Sequence, residues 1–172
     1  MTTKSKTSAV TSDTARQRIT LERVFDAPIQ DVWDLWTTPE GIESWWGPDG
    51  FVVKVRKLDL RPGGELLYAM SAVADEQIEF MKRAGMPLTT ENRITYNEIV
   101  PRQRLVYTNL ADFIPGVAAY DVGTMVELFP GAGGVRLVLT LDQMHDEIWT
   151  QRMSAGWENE LGKLEKVIAS RR

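Results

Sequence analysis

Few residues of this chain could perform acid–base chemistry. Histidine occurs once, at His145, and cysteine is absent. The chain therefore cannot form a metal site with two or more imidazole ligands or a histidine–cysteine nucleophile pair. Glu98 and Glu127 lie inside strand-like patterns, and each is predicted to share a strand face with the apolar residues two positions away. A carboxylate that points into an apolar cavity has a raised pKa and can act as an acid or a base. The candidate catalytic residues are therefore Glu98, Glu127 and His145, and we expect neither a metal nor a cofactor.

Each candidate also has a purely structural interpretation. Carboxylates on strands commonly face solvent, and His145 is followed by Asp146 and Glu147 at the point where the last helix is expected to begin. The glycine-rich stretches at residues 61–64 and 130–134 lack the strand-to-helix context of a phosphate-binding loop, so they are predicted to be turns.

Aromatic and methionine side chains form the larger set of candidate functional residues. Apolar pockets with a few polar groups are the usual form of small-molecule sites, and methionine adapts to irregular ligands. The same stripe would also suit a plain hydrophobic core. The candidate ligand-binding residues are Trp45, Trp46, Tyr68, Met70, Tyr96, Tyr107, Met125, Met144, Trp149, Met153 and Trp157.

Composition limits the possible partners and the compartment. A formal charge of -4 without a basic stripe argues against nucleic-acid binding, which requires cationic side chains along phosphates. The absence of cysteine suits a reducing cytoplasm. No stretch is apolar and long enough to span a bilayer, and residues 1–16 lack the apolar core of a signal peptide. We expect a cytoplasmic protein with a disordered tail at residues 1–16 and one domain at residues 17–172.

Periodicity predicts an α+β fold that could position these residues. Residues 18–25 alternate as a strand, and two short helices follow, the second with Thr38 as a cap and Pro39 in its first turn. Strand patterns joined by short turns then continue to about residue 144, which favours one antiparallel sheet. Residues 71–90 interrupt this rhythm with a helical run, interpreted as an inserted helix or lid. A long helix is predicted from about His145 to Ser170, with an apolar stripe along one face.

Four stretches in fixed order resemble a known family. They are ITLERVFDAPIQDVWDLWTTPEGIESWWGPDGF, LDLRPGGELLYAM, EIVPRQRLVYTN and GWENELGKLEKVI. Over about residues 18–169 the chain resembles the bacterial proteins related to the activator of heat shock protein 90 ATPase, within the START-like (SRPBCC) superfamily. The resemblance implies a β-α-α-β6-α helix-grip fold, in which an antiparallel sheet curls around the C-terminal helix and leaves a cavity.

The resemblance leaves three functions open, because one fold hosts many activities. The first is binding of a hydrophobic, aromatic or lipid-like molecule in the cavity. The second is a cyclase, dehydratase or hydrolase that acts on a polyketide-like substrate. The third is a protein-interaction module for a chaperone, which we place last because chaperone contact in the eukaryotic activator relies on a separate N-terminal domain. A module of the third kind should expose Trp45 and Trp46, whereas a cavity protein should bury them. A homodimer is compatible with a small domain of this kind.

Overall fold

The computed structural model describes residues 17–171, so the predicted tail at residues 1–16 lies outside the described residues. The chain forms seven strands and four helices within this range. In chain order the elements are β1 (Arg18–Phe25), α1 (Ile29–Thr37), α2 (Pro39–Trp45), β2 (Phe51–Leu58), β3 (Glu65–Ala72), α3 (Asp75–Arg83), β4 (Thr89–Val100), β5 (Arg104–Ala111), β6 (Tyr120–Gly131), β7 (Gly134–Asp142) and α4 (Glu147–Ser170).

All seven strands belong to one antiparallel sheet in the order β1-β7-β6-β5-β4-β3-β2. The first strand therefore pairs with the last, and the other neighbours are consecutive in sequence. The sheet is curved, and α4 packs along its inner face. This arrangement is the predicted helix-grip fold, and α3 confirms the helix that was predicted inside the insertion at residues 71–90.

Local signals explain where two of the helices begin. The Thr38 side chain accepts a hydrogen bond from the Gly41 N–H at 3.0 Å, and Pro39 occupies the first turn of α2, as the sequence predicts. Helix α4 begins at Glu147, two residues later than predicted, because the Asp146 side chain accepts a hydrogen bond from the Trp149 N–H at 2.8 Å.

The hydrophobic core lies between the inner face of the sheet and the helices. Alternate residues of β7, from Val135 to Leu141, are almost fully buried, as expected of a strand with one face on the core. Leu161, Leu164 and Ile168 of α4 are buried against this part of the sheet. The C-terminal half of α4 thus packs tightly, and the space for a ligand lies along its N-terminal half.

Candidate functional site

One cavity, named the main cavity for its mostly apolar lining, lies between the N-terminal half of α4 and the ends of β5 and β6. A larger and more polar depression of about 590 Å³ lies at the opposite end of these strands. The volume of the main cavity is about 330 Å³, within the lower range of small-molecule sites. Most of its lining is apolar, and α4 contributes one continuous face to it. The lining residues are Pro48, Asn109, Leu110, Ala111, Phe113, Val122, Met144, Trp149, Arg152, Met153, Gly156, Trp157 and Glu160.

A second cavity of about 330 Å³ lies between the inserted helix α3 and the sheet. It shares Asn109, Leu110 and Phe113 with the main cavity, so the two adjoin at the end of β5. The inserted segment therefore covers part of the inner face of the sheet. Its lining residues are Phe51, Tyr68, Met70, Met81, Met86, Thr90, Asn92, Arg93, Asn109, Leu110 and Phe113.

The rim of the main cavity is aromatic and carries one cation. The Phe113 ring meets the Trp149 ring edge to face, with centroids 6.0 Å apart. The Arg152 guanidinium lies over the Trp149 ring, with its Cζ atom 5.1 Å from the ring centroid. Such cation–π contact holds the guanidinium near the rim while leaving its N–H groups free to bind an anion.

Glu160 is the carboxylate that lines the main cavity. It lies one turn beyond Trp157 on α4 and is half-buried. Its Oε1 atom accepts a hydrogen bond from the Gly47 N–H at 2.8 Å. Burial raises the pKa of Glu160 to about 7, while the Gly47 N–H and the nearby Lys163 ammonium act in the opposite direction. At neutral pH this carboxyl group can therefore accept or donate a proton.

The same face of α4 also fixes the loop between α2 and β2. Lys163 Nζ donates to the Gly47 carbonyl at 2.8 Å, and the Asn159 side chain exchanges two hydrogen bonds of 2.9 Å with Asp49. Gly47 has a φ of 88°, which a residue with a Cβ atom adopts only under strain. Glu160 therefore has a structural role besides any role towards a ligand.

Several buried polar atoms near the cavities lack a hydrogen-bond partner within residues 17–171. They include Trp46 Nε1 and Asn109 Oδ1. Tyr68 and Tyr107 lie beside Trp46, at centroid distances of 5.4 and 6.4 Å. Burial, and secondarily the charges around them, including Glu160, raise the pKa of both tyrosines, so their hydroxyls stay protonated. The inner wall thus combines aromatic rings with neutral hydrogen-bonding groups.

The candidate ligand-binding residues from the sequence fall into three groups. Tyr68 and Met70 line the second cavity, and Met144, Trp149, Met153 and Trp157 line the main cavity. Trp45, Trp46, Tyr96 and Tyr107 are buried in the core behind these walls. Met125 lies on the outer face of the sheet, the face away from α4, because the inward residues of β6 are its even-numbered neighbours from Val122 to Leu128. The expectation that Met125 lines the concave side is wrong.

Glu98 and Glu127 also lie on the outer face, contrary to the inward orientation considered from the sequence. Arg104 forms ion pairs with both, at 3.3 and 3.5 Å. A β-bulge after Tyr96 shifts the register, so Tyr96 pairs with Tyr107 but Glu98 pairs with Val106. The extra residue moves Glu98 to the side opposite Tyr96. Neither carboxylate lines the two cavities on the inner face, and Glu127 lines a separate depression beside the turn between β4 and β5.

His145 lies just outside the cavity, in the segment before α4. Its Nδ1 atom is 2.7 Å from the Tyr120 hydroxyl, and its Nε2 atom is 3.2 Å from Asp146 Oδ2. Its ring centroid is 6.2 Å from that of Trp149. These contacts anchor the start of α4, which is the structural role weighed for His145 in the sequence.

Sequence reasoning missed the polar residues of the cavity, Glu160, Asn109 and Arg152. A signal existed for Glu160, since it follows Met153 and Trp157 by seven and three residues on the predicted apolar stripe of α4. Asn109 shares the inward parity of Tyr107 on β5. Arg152 carried no such signal, because it precedes the stripe residue Met153 and is exposed.

Two classes of site find no support in the part of the chain that the structure describes. Within residues 17–171, no group of three or more His, Asp or Glu side chains is arranged to hold a metal ion. None of the helices in this range has the length and apolar character needed to cross a bilayer.

The curved sheet, the long packed helix and the cavity between them define a START-like helix-grip protein. Residues 26–169 match the family model described as "Activator of Hsp90 ATPase homolog 1-like protein". The chain belongs to this family, which confirms the resemblance found in the sequence. No curated protein matches the chain significantly.

Solved structures of bacterial proteins share the fold. Protein CV1439 from Chromobacterium violaceum is 28% identical, with a TM-score of 0.72, over 88% of this chain and 96% of its own. Protein NE0264 from Nitrosomonas europaea is 23% identical, with a TM-score of 0.68, over 92% and 97%. The AHSA1 protein SPO3351 from Silicibacter pomeroyi is 20% identical, with a TM-score of 0.71, over 91% and 100%.

Proposed function

We propose that this protein binds a hydrophobic small molecule in the main cavity. The observation that carries the proposal is the cavity of about 330 Å³ beside α4, with an apolar lining and one half-buried carboxyl group. The ligand would lie against Met153 and Trp157 and displace water from their side chains. Burial of apolar surface would supply most of the affinity.

The positions of two tryptophans support cavity binding over a protein-docking role. Trp45 is fully buried and its Nε1 atom donates to the Leu35 carbonyl at 2.8 Å, and Trp46 is only 7% exposed. Neither ring presents a surface to another protein. Burial of both rings is the arrangement expected of a cavity protein.

Gly156 offers a direct test of the proposal. It lines the cavity from α4, and a Cβ atom built at this position meets nothing within 4 Å. Gly156→Leu should therefore fill the cavity without disturbing the helix. Gly162→Leu is the matched control, since Gly162 lies in the same helix, has equally open space at its Cβ position and does not line the cavity.

The assay is a fluorescence titration with 1-anilinonaphthalene-8-sulfonate, a probe with an apolar aromatic body and one sulfonate group, with tryptophan quenching as a second signal. We expect saturable one-site binding by the wild type and by Gly162→Leu, and at least about a tenfold loss in Gly156→Leu from steric exclusion. Equal binding by all three proteins would place the probe elsewhere and contradict the proposal.

A second candidate function is acid–base catalysis on the bound molecule by Glu160. It is favoured by the location of this carboxyl group in the cavity with a pKa of about 7. The test incubates the ligand eluted from the purified protein with the wild type and with Glu160→Gln. A mass change equal to one water molecule with the wild type alone would support catalysis, and an unchanged ligand would leave binding as the function.

A further inference from the structure

Charge in the main cavity is separated between its two ends. Arg152 is exposed at the rim, and within residues 17–171 it forms no ion pair and no hydrogen bond through its side chain. Glu160 lies eight residues further along α4, which corresponds to about 12 Å at a rise of 1.5 Å per residue. A bound anion would therefore be attracted to the rim and repelled from the inner end.

The Asn109 amide lies in the wall between these two groups, where the two cavities meet. Its Oδ1 atom is buried without a hydrogen-bond partner, and no group in residues 17–171 accepts from its Nδ2 atom. Buried amides are normally paired, and an unpaired one destabilises a protein. Because Oδ1 is buried and Nδ2 is not, a ligand hydroxyl would accept from Nδ2 in this orientation, and it would donate to Oδ1 if the two amide atoms exchanged places.

From this arrangement we propose that the ligand is an amphipathic acid. Its carboxylate binds Arg152 at the rim, its apolar body lies along Met153 and Trp157, and a neutral hydroxyl pairs with the Asn109 amide. This inference rests on the proposed function, because it assigns the chemical class and the orientation of the molecule held in the same cavity.

The charge at Glu160 favours an orientation of the bound acid in which its carboxylate points towards the rim. An inward carboxylate would face the Glu160 carboxylate and the aromatic wall, where no cation lines the cavity apart from Arg152 at the rim. Lys163 offsets this repulsion only in part, because burial raises the pKa of Glu160 in spite of the nearby ammonium group, and Lys163 does not line the cavity. The outward orientation also keeps the carboxylate partly hydrated, which lowers the free-energy cost of binding it.

Three related probes separate these contributions. 6-Hydroxy-2-naphthoate carries both polar groups, its methyl ester lacks the negative charge, and 2-naphthoate lacks the hydroxyl. Each is titrated calorimetrically at pH 8 into the wild type, Arg152→Gln and Asn109→Leu. Lys166→Gln is the control, because Lys166 is an exposed cation of the same helix that does not line the cavity.

For the carboxylate, we expect the acid to bind about threefold to tenfold more tightly than its ester, as for a charge-assisted contact at an exposed rim. Arg152→Gln should abolish this preference and leave the affinity of the ester unchanged. Added salt should weaken binding of the acid to the wild type but not to Arg152→Gln. Lys166→Gln should behave as the wild type.

For the hydroxyl, 6-hydroxy-2-naphthoate should bind about threefold to tenfold more tightly than 2-naphthoate. Asn109→Leu should remove this difference, while the preference for acid over ester persists.

Two results would overturn the inference while leaving the proposed function intact. One is binding of the acid and the ester with equal affinity, blocked by Gly156→Leu but insensitive to Arg152→Gln. The other is tighter binding of the acid to Glu160→Gln with no effect of Arg152→Gln, which would reverse the orientation. Failure of all three probes, together with failure of the anilinonaphthalene probe, would contradict the proposed function itself.

Discussion

Replacement of Glu160 by glutamine should stabilise the protein at alkaline pH and have little effect at acidic pH. The folded state raises the pKa of this group from 4.5 to about 7, chiefly through burial. Below pH 4.5 the carboxyl group is protonated in both the folded and the unfolded chain, so it adds no pH-dependent penalty. Between pH 4.5 and 7 the unfolded chain releases its proton first, and stability falls as the pH rises. Glutamine removes this titration and can still accept the Gly47 N–H bond.

The magnitude follows from the pKa. Each tenfold change in proton affinity corresponds to about 1.4 kcal/mol, so the upper limit of the penalty at pH 8 is about 3 kcal/mol. Because the side chain is only half-buried, solvent in the cavity screens the charge and about 1–2 kcal/mol is expected. For a domain of this size this corresponds to a rise in Tm of about 3–6 °C.

The assay is urea denaturation at pH 4.5 and pH 8, followed by tryptophan fluorescence. At pH 8 the free energy of unfolding of Glu160→Gln should exceed that of the wild type by about 1–2 kcal/mol. At pH 4.5 the two proteins should differ little. Glu165→Gln is the matched control for removal of a carboxylate from α4, because Glu165 is exposed. A stability difference that is the same at both pH values, or larger at pH 4.5, would refute the assignment of Glu160 as a carboxyl group destabilised by burial.

Three further predictions concern stability. Gly156→Leu and Gly162→Leu should each stabilise the protein by about 0.5–1 kcal/mol, because glycine is a poor helix residue. Calorimetric melting measures this gain. Destabilisation by Gly156→Leu would show that the cavity has no room for the leucine side chain. Asn109→Leu should raise the free energy of unfolding in urea by about 1–2 kcal/mol, since it removes a buried amide oxygen without a hydrogen-bond partner. A loss of stability would mean that this oxygen is paired. Trp45→Phe should destabilise the protein by about 2–4 kcal/mol, and by at least about 1 kcal/mol more than Trp46→Phe, because only the Trp45 indole N–H is paired; equal losses in thermal melts would contradict this.

Local patterns in the sequence were sufficient to predict the fold. Alternation in the strands, the Thr38 cap and the apolar stripe of α4 each depend on near neighbours in the chain, and all are present in the structure. The resemblance to a known family supplied the order in which these elements pack. The helix in the insertion was predictable for the same reason, since its helical run is a local pattern.

The orientation of individual strand residues was less predictable. Alternation assumes an unbroken register, and the bulge between Tyr96 and Glu98 breaks it without a distinctive residue. On β6 both faces carry apolar residues, so the inward position of Val126 rather than Met125 depends on pairing with β5 and β7. Because of such errors in parity, Glu98 and Glu127 were predicted to point into the cavity, although both lie on the outer face of the sheet.

The polar groups of the cavity depend on contacts that are distant in sequence. Glu160 acquires its raised pKa from burial in the folded chain, and its side chain accepts a hydrogen bond from Gly47, more than 100 residues earlier in the sequence. Asn109 shares the inward parity of Tyr107 on β5, but the missing partner of its amide oxygen is visible only in the structure. Neither property can be read from spacing along the chain.

The central claim, that the cavity holds a small molecule, is tested most directly by native mass spectrometry of protein purified gently from its host. The wild type and Gly162→Leu should each carry a discrete added mass that disappears on denaturation, and Gly156→Leu should not. An added mass retained in Gly156→Leu, or absent from both the wild type and Gly162→Leu, would contradict the claim.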